Sequence, residues 1–289
     1  MKVLITGAAG QLGQALTAMA TSRGLAFVAL DSAALDITCA TAVDAAFDAQ
    51  RPDVVINAAA YTAVDKAEND VERARAVNVD GPRHLAQACA RQGAQLIHVS
   101  TDFVFDGQAS QPYAPDAPCN PLGVYGQTKR DGEIAALTAW PERTTIVRTA
   151  WVYGPGGRNF VATMLRLMSE RDELGVVMDQ IGCPTCTIGL AEALLGLAAA
   201  RAAEGQILHW TDAGVASWYD FAVAIRELAA QRWPDQAWAG VRPIYTQDYP
   251  TPASRPAYSV LDCRSAQEWL EPPRHWRATL QQILPTMRA

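Results

Sequence analysis

The chain has 289 residues, 49% of them hydrophobic, and a formal net charge of −6. That length can bury a sizeable core in one large domain or two closely joined ones. The acidic balance argues against general nucleic-acid or membrane-surface binding, both of which need a cationic face, and no run of about 18 apolar residues offers a membrane span.

In chain order, Val3–Thr6, Ala26–Leu30, Val54–Ala58, Leu96–Ser100 and Thr145–Arg148 are short apolar runs without polar alternation, as buried strands are. Stretches of helical length separate them. Thr41-Ala42-Val43-Asp44 has the form of a capping box opening one such helix. This alternation predicts an α/β fold of the Rossmann type, a doubly wound parallel sheet with helices on both faces. After about residue 150 the pattern loosens. Strand-like pieces at Gly175–Met178 and Ile207–Thr211 mix with helices, and Ser217-Trp218-Tyr219-Asp220 is a second capping-box candidate. Residues 243–256 carry four prolines and read as a structured surface loop. The expected division is a dinucleotide-binding domain over 1–150, with about 187–212 returning to it. A smaller mixed substrate domain takes 151–186 and 213–289.

Gly7-Ala8-Ala9-Gly10-Gln11-Leu12-Gly13 follows the first strand directly and opens a helix. Glycines let such a turn close and let backbone N–H groups approach a pyrophosphate, which the helix N-terminus also favours. The spacing is GxxGxxG rather than GxGxxG. Asp31 ends the second strand 18 residues after Gly13, where a carboxylate that binds the adenosine ribose is expected. Asp36-Ile37 follows within reach of an adenine. No Arg or Lys follows Asp31 in Ser32-Ala33-Ala34, which favours NADH over NADPH.

Tyr125-Gly126-Gln127-Thr128-Lys129 places Tyr and Lys one helical turn apart on one face. A neighbouring ammonium is expected to lower the phenol's pKa and make Tyr125 a general acid for a carbonyl being reduced. Thr101 ends the fourth strand, where open α/β sheets bind ligands, and can offer a hydroxyl to that carbonyl. Only three lysines occur, Lys2, Lys66 and Lys129. The six cysteines are scattered, which suits a reducing cytoplasm, and no secretory leader precedes the first strand. Cys183-Pro184-Thr185-Cys186 has C-x-x-C spacing but no second Cys or His pair, so free thiols and no bound metal are expected.

Taken together, GAAGQLG (7–13), LDIT (35–38), NAAAYTAVDKAE (57–68), STDFVFDG (100–107), YGQTK (125–129), RTAWVYG (148–154), NF (159–160), DQIGCPT (179–185) and RPAYSVLD (255–262) resemble the extended short-chain dehydrogenase/reductases, and within them the dTDP-4-dehydrorhamnose reductases. The resemblance implies NADPH- or NADH-dependent reduction of the C4 ketone of a dTDP-linked 4-keto-6-deoxy sugar. It implies a catalytic triad of Thr101, Tyr125 and Lys129. Cofactor contacts would come from Gly7, Gly10, Gln11, Leu12, Gly13, Asp31, Asp36, Ile37, Ala58, Ala59, Ala60, Tyr61 and Thr62, with Tyr125 and Lys129. Substrate contacts would come from Val64, Thr101, Asp102, Trp151, Asn159 and Arg255. Some family members dimerise around Mg²⁺ through acidic residues at positions that here read Ala15 and Ile188. Neither can ligate a hard cation, so a Mg²⁺ requirement or Mg²⁺-bridged dimer is not expected, and a monomer or weak homodimer is. Two other readings compete: a nucleotide-sugar epimerase or dehydratase, and a non-catalytic subunit like the beta subunit of methionine adenosyltransferase. Phe103 stands where a dehydratase would add an acid, and the intact Thr–Tyr–Lys set argues for catalysis.

Overall fold

The structure is a computed structural model and describes residues 1–287, so the last two residues of the expected second unit lie outside it. The first half runs β1 (Lys2–Thr6), α1 (Gln11–Ser22), β2 (Ala26–Leu30), α2 (Ala40–Gln50) and β3 (Val54–Asn57), then short helices α3 (Val64–Ala67) and α4 (Val71–Arg75). A π-helical turn over Ala76–Asp80 leads into α5 (Gly81–Gln92), followed by β4 (Gln95–Thr101), α6 (Val124–Ala139) and β5 (Thr144–Thr149). The second half adds β6 (Val152–Tyr153), α7 (Phe160–Glu170), β7 (Glu173–Val177), β8 (Ile181–Gly182), β9 (Thr185–Cys186), α8 (Thr187–Ala200) and β10 (Ile207–His209). The last elements are β11 (Ala216–Ser217), α9 (Trp218–Arg232), β12 (Gly240–Ile244) and α10 (Trp276–Ile283).

Six parallel strands form the main sheet in the order β10-β5-β4-β3-β1-β2. Two apolar clusters sandwich it. Val3, Ile5, Leu16, Leu190 and Leu194 pack on one face, and Leu4, Phe47, Val55, Leu85 and Leu96 on the other. Alternate residues of β1 therefore face opposite helix layers, which is why the strand reads as one apolar run. The chain leaves β1 towards β2 on one side and returns to β3 on the other, so the crevice above β1 and β3 is the switch point where ligands bind. Residues 187–209 come back to this sheet: α8 covers it and β10 becomes its edge. A third cluster, including Val161, Leu165, Phe221, Ile225 and Leu280, fills the space between α7, α9 and α10.

The Ser217 capping box forms as expected, with Ser217 Oγ accepting from Asp220 N and Asp220 reaching back to Ser217 N. The expected box at Thr41 does not. Helix α2 begins at Ala40 with Cys39 in the capping position, which leaves Thr41 inside the first turn, and Asp44 pairs instead with Arg91. The proline-rich loop also starts later than expected, because β12 runs through Pro243 beside β7. Those two strands form a sheet of their own, so both are edges, and an edge tolerates the missing N–H.

Helix α6 lies tight against the π turn because Gly132 has no side chain there. A Cβ on Gly132 would sit 1.9 Å from the Asn78 carbonyl oxygen. Gly132→Ala should therefore destabilise the protein by about 1–3 kcal/mol, the usual cost of overpacking. A denaturant midpoint unchanged from wild type would contradict this packing.

Candidate active site

The glycine turn closes as its sequence suggests, with the special conformation at Gly7. Its φ is +69°, and a Cβ there would lie 2.6 Å from Ala59 N. A Cβ on Gly13 would come 2.2 Å from Gly7 O, so this glycine lets α1 pack onto the turn. Gly10 has φ −73° and only Gly7 O, at 3.3 Å, near its missing side chain, so its space is open toward the pocket. That pocket, about 310 Å³, is lined by Gly7, Ala9, Gly10, Asp31, Ser32, Asp36, Ile37, Ala58, Ala59, Ala60, Tyr61 and Arg73. Free N–H groups at a helix start, a glycine floor and a strand-end carboxylate fit a dinucleotide.

Asp31 Oδ1 accepts from the N–H groups of Ala33 and Ala34 at 3.0 and 2.9 Å, which shapes the turn after β2. Asp36 is held below the usual carboxylate range chiefly by the Thr38 hydroxyl, and also by its N–H. Tyr61 N donates to Asn78 Oδ1 at 2.8 Å, and Asn78 Nδ2 donates to Tyr61 O and to Thr128 Oγ1, each at 3.1 Å. The π turn thus ties the loop that lines the glycine pocket to α6, the helix carrying Tyr125 and Lys129. Gln11 faces away from the pocket, donating to Arg158 O and accepting from Asn159. Leu12 packs with the α1–α8 core, and Thr62 is exposed outside the pocket lining.

Thr101, Asp102, Tyr125 and Lys129 converge at the C-terminal end of β4. Thr101 Oγ1 donates to Asp102 Oδ1 at 3.0 Å and accepts from Phe103 N at 3.2 Å. Phe103 packs edge-on against the Tyr125 ring, 5.5 Å between centroids. Among the described residues Asp102 Oδ2 is buried without a hydrogen-bond partner, and burial pushes that carboxyl up to about 6 against the hydroxyls of Ser259 and Thr101. The expected lowering of the Tyr125 pKa is not found. Desolvation raises the phenol to about 12, with only the Thr101 hydroxyl opposing it. The reason is the aim of Lys129, whose Nζ donates to Val99 O at 2.7 Å, behind the phenol rather than towards it. Burial in turn brings Lys129 down to about 8, against the pull of Glu133.

Trp151 follows the end of β5 with φ +48°, a strained conformation for a bulky residue that costs on the order of 1–3 kcal/mol. It stacks on Trp218 at 3.5 Å between centroids. Trp218 and Phe160 then form one wall of a groove of about 640 Å³, whose rim carries Arg171, Arg242 and Arg255. Arg242 pairs with Glu173. Arg255 grips Asp65 with both ends of its fork, at 3.1 and 2.8 Å, and this holds the Asp65 carboxyl below its usual range. Val64, beside Asp65, is half-buried. Among the described residues, Arg171 makes no ion pair. Asn159 caps α7 by accepting from Ala162 N at 3.0 Å, and its amide donates to Gln11 Oε1 and Gly154 O. The structure therefore gives Asn159 a helix-capping role. Cys183 and Cys186 are buried thiols that desolvation raises to about 12 and about 11. Among the described residues no three His, Cys, Asp or Glu side chains are grouped to hold a metal ion, and no helix is long and apolar enough to cross a membrane.

Fold and site together define a dinucleotide-dependent oxidoreductase of the extended short-chain type. The family model described as "RmlD substrate binding domain" matches residues 1–289, and the chain belongs to that family. It is 48% identical to a dTDP-4-dehydrorhamnose reductase of Streptomyces griseus, over 98% of this chain and 93% of the relative. It is 47% identical to the protein of that name from Mycobacterium tuberculosis H37Rv, over 98% and 92%. Among solved structures, a dTDP-4-dehydrorhamnose reductase of Clostridium acetobutylicum superposes with a TM-score of 0.92 at 40% identity, each chain fully covered. One from Bacillus anthracis, in complex with NADP, gives 0.91 at 33% identity, with 98% of each chain covered.

Sequence reading missed Asn78, Arg73 and the residues beneath Lys129. Asn78 had a legible signal, a polar residue at a buried helical position, whereas Arg73 had none. Gly10→Val should abolish binding of NADPH and NADH in a fluorescence titration while the far-UV spectrum and melting temperature stay near wild type, because the added side chain enters only the pyrophosphate's space. Retained affinity would place the cofactor elsewhere.

Proposed function

We propose that this chain uses NADPH or NADH to reduce the C4 ketone of a dTDP-linked 4-keto-6-deoxyhexose, dTDP-4-dehydrorhamnose in the first instance, to the alcohol. The observation that carries the reading is the convergence of Thr101 and Tyr125 beside a glycine-floored dinucleotide pocket, in a chain whose full-length relatives bear that name. When bound, the nicotinamide supplies hydride. The protein supplies the rest. Thr101 offers its hydroxyl to the ketone oxygen, and Tyr125, kept protonated by burial, gives its proton to the alkoxide. Trp151 closes the sugar site, and Val64 and Asp102 border it.

The nucleotide half lies in the groove walled by Phe160 and Trp218, with its diphosphate facing Arg171 and Arg255. Because Arg255 already grips Asp65, Arg171 is the freer cation, and Arg255 also straps the two halves together. Among the described residues, Arg73 is the one cation lining the adenosine pocket and can pair with a 2′-phosphate, which supports NADPH use despite Asp31. On this reading residues 1–150 and 187–212 hold the cofactor, and the remainder selects the substrate. The protein works in the cytoplasm as a monomer or weak homodimer without a bridging Mg²⁺. Ala15 and the exposed Ile188 offer no oxygen ligand for one.

Mixed with the keto-sugar nucleotide, the protein should oxidise either cofactor steadily. Tyr125→Phe should lose at least ~10²-fold in kcat with cofactor affinity within a few-fold, since only the acid proton is removed. Arg73→Ala should raise the KM for NADPH alone. Near-normal turnover by the phenylalanine variant would remove Tyr125 from the chemistry, and equal effects on both cofactors would remove Arg73 from phosphate recognition.

A further inference from the structure

Beneath the catalytic helix a chain of buried polar groups runs from the glycine turn to Lys129, and none of its first three members entered the mechanism. Thr6 Oγ1 donates to Asn57 Oδ1 at 2.6 Å, and Ala59 N donates to the same oxygen at 3.1 Å. Asn57 Nδ2 lies 2.9 Å from His98 Nδ1, and His98 Nε2 lies 3.5 Å from Lys129 Nζ. Asn57 and His98 are fully buried, and Thr6 and Lys129 nearly so.

Hydrogen-bond bookkeeping fixes the protons. A backbone N–H can only donate, so the Ala59 N–H identifies the Asn57 atom facing it as oxygen and fixes the amide's orientation. The Asn57 NH₂ therefore points at His98 Nδ1. An NH₂ has no lone pair to offer, so Nδ1 must accept and carries no proton. A neutral imidazole then bears its hydrogen on Nε2, and that N–H faces Lys129 Nζ. An ammonium there would set N–H against N–H. An amine would turn its lone pair to the imidazole while still donating to Val99 O.

We infer that His98 is a positioning residue for Lys129, which through Asn57 presents an Nε2–H to that side chain and disfavours its ammonium form relative to the amine. The inference deepens the reductase reading, because Lys129 sits one turn from the acid Tyr125. The groups facing the pair are few. From β4 come His98 itself and the Val99 carbonyl. From α6 come Tyr125 and Glu133, and Glu133 is already gripped by Arg148 and Arg130. From the turn after β4 comes Asp102, which faces Tyr125. Burial and the neighbouring lysine both oppose a second proton on His98. With its proton affinity lowered, Lys129 passes between ammonium and amine near neutral pH. Lys129 is then the group whose charge, one helical turn from Tyr125, changes near pH 8, and that change sets the alkaline limit of turnover.

Three lysines and four histidines make the test direct by NMR on ¹⁵N-labelled protein, without substrate. His98 should show a bare Nδ1 and a protonated Nε2 from about pH 6 to about pH 9, a range over which an ordinary histidine titrates. Lys129 should titrate near 8. In His98→Gln the amide oxygen can accept from an ammonium, so the Lys129 midpoint should rise by about one unit or more, a tenfold gain in proton affinity. The alkaline limb of kcat should move up with it. A proton on Nδ1 in the wild type, a Lys129 midpoint in the ordinary lysine range, or a midpoint unmoved by His98→Gln would each overturn the inference. Because these readouts need no ketone, a wrong substrate assignment would leave them unchanged.

Discussion

The active site rests on a buried ion pair. Arg148 on β5 donates from Nε and Nη2 to the two carboxylate oxygens of Glu133 on α6, at 2.9 and 2.8 Å, and both side chains are sealed from solvent. Two charges in such a place are tolerable only when every lone pair and N–H is matched, and here they are. Ser100 on β4 and Arg130 complete Glu133, while Pro115 O accepts from Arg148 Nη1 and His209 Nε2 lies 3.4 Å from it. His209 in turn bonds Tyr113 O, and the Tyr113 backbone pairs with Val260 and Asp262. One carboxylate therefore fixes α6, β4, β5, β10 and the segment that carries Ser259 to Asp102. Buried pairs of this kind cost about 3–5 kcal/mol when one partner is lost, which makes the pair a rigid reference for the reacting groups.

From that reference the proton chemistry follows. Helix α6 presents Tyr125 and Lys129 to the end of β4, but with different surroundings. The phenol sits among Phe103, Thr101 and the orphaned Asp102 oxygen, where desolvation keeps its proton on. The Lys129 nitrogen points down to Val99 O and His98, where desolvation weakens its hold on its proton. Burial thus moves the two groups in opposite directions, and each is displaced toward its neutral form.

The fold was legible because its strands are buried on both faces and read as continuous apolar runs, and its glycine turn follows the first strand without a gap. The grouping of Thr101, Tyr125 and Lys129 was legible because a phenol, a lysine and a threonine stand at spacings that one helix and one strand end impose. Supporting residues were harder to see. Glu133 and Arg148 look in sequence like ordinary surface charges, and only β5's burial turns Arg148 into a buried partner. Asn57 and His98 lie in strands whose apolar neighbours mask them, and Arg73 reaches the cofactor pocket from a helix separated from Asp31 by some forty residues. Capping failed at Thr41 because Cys39 occupied the position first, and Arg255 looked free because its partner Asp65 is distant in sequence. Apart from the cap at Thr41, each miss is a long-range pairing, which local pattern does not encode.

The central claim is that hydride reaches the sugar's C4 while the enzyme supplies only a proton. Nicotinamide cofactor deuterated on the transferring face of its C4 position, incubated with the keto-sugar nucleotide and the protein, tests it in one spectrum. Proton and deuterium NMR of the product should show one deuterium, bonded to the hexose C4, and none at C3 or C5. Deuterium left in the nicotinamide after product has formed, or found at C3 or C5, would contradict a direct C4 reduction.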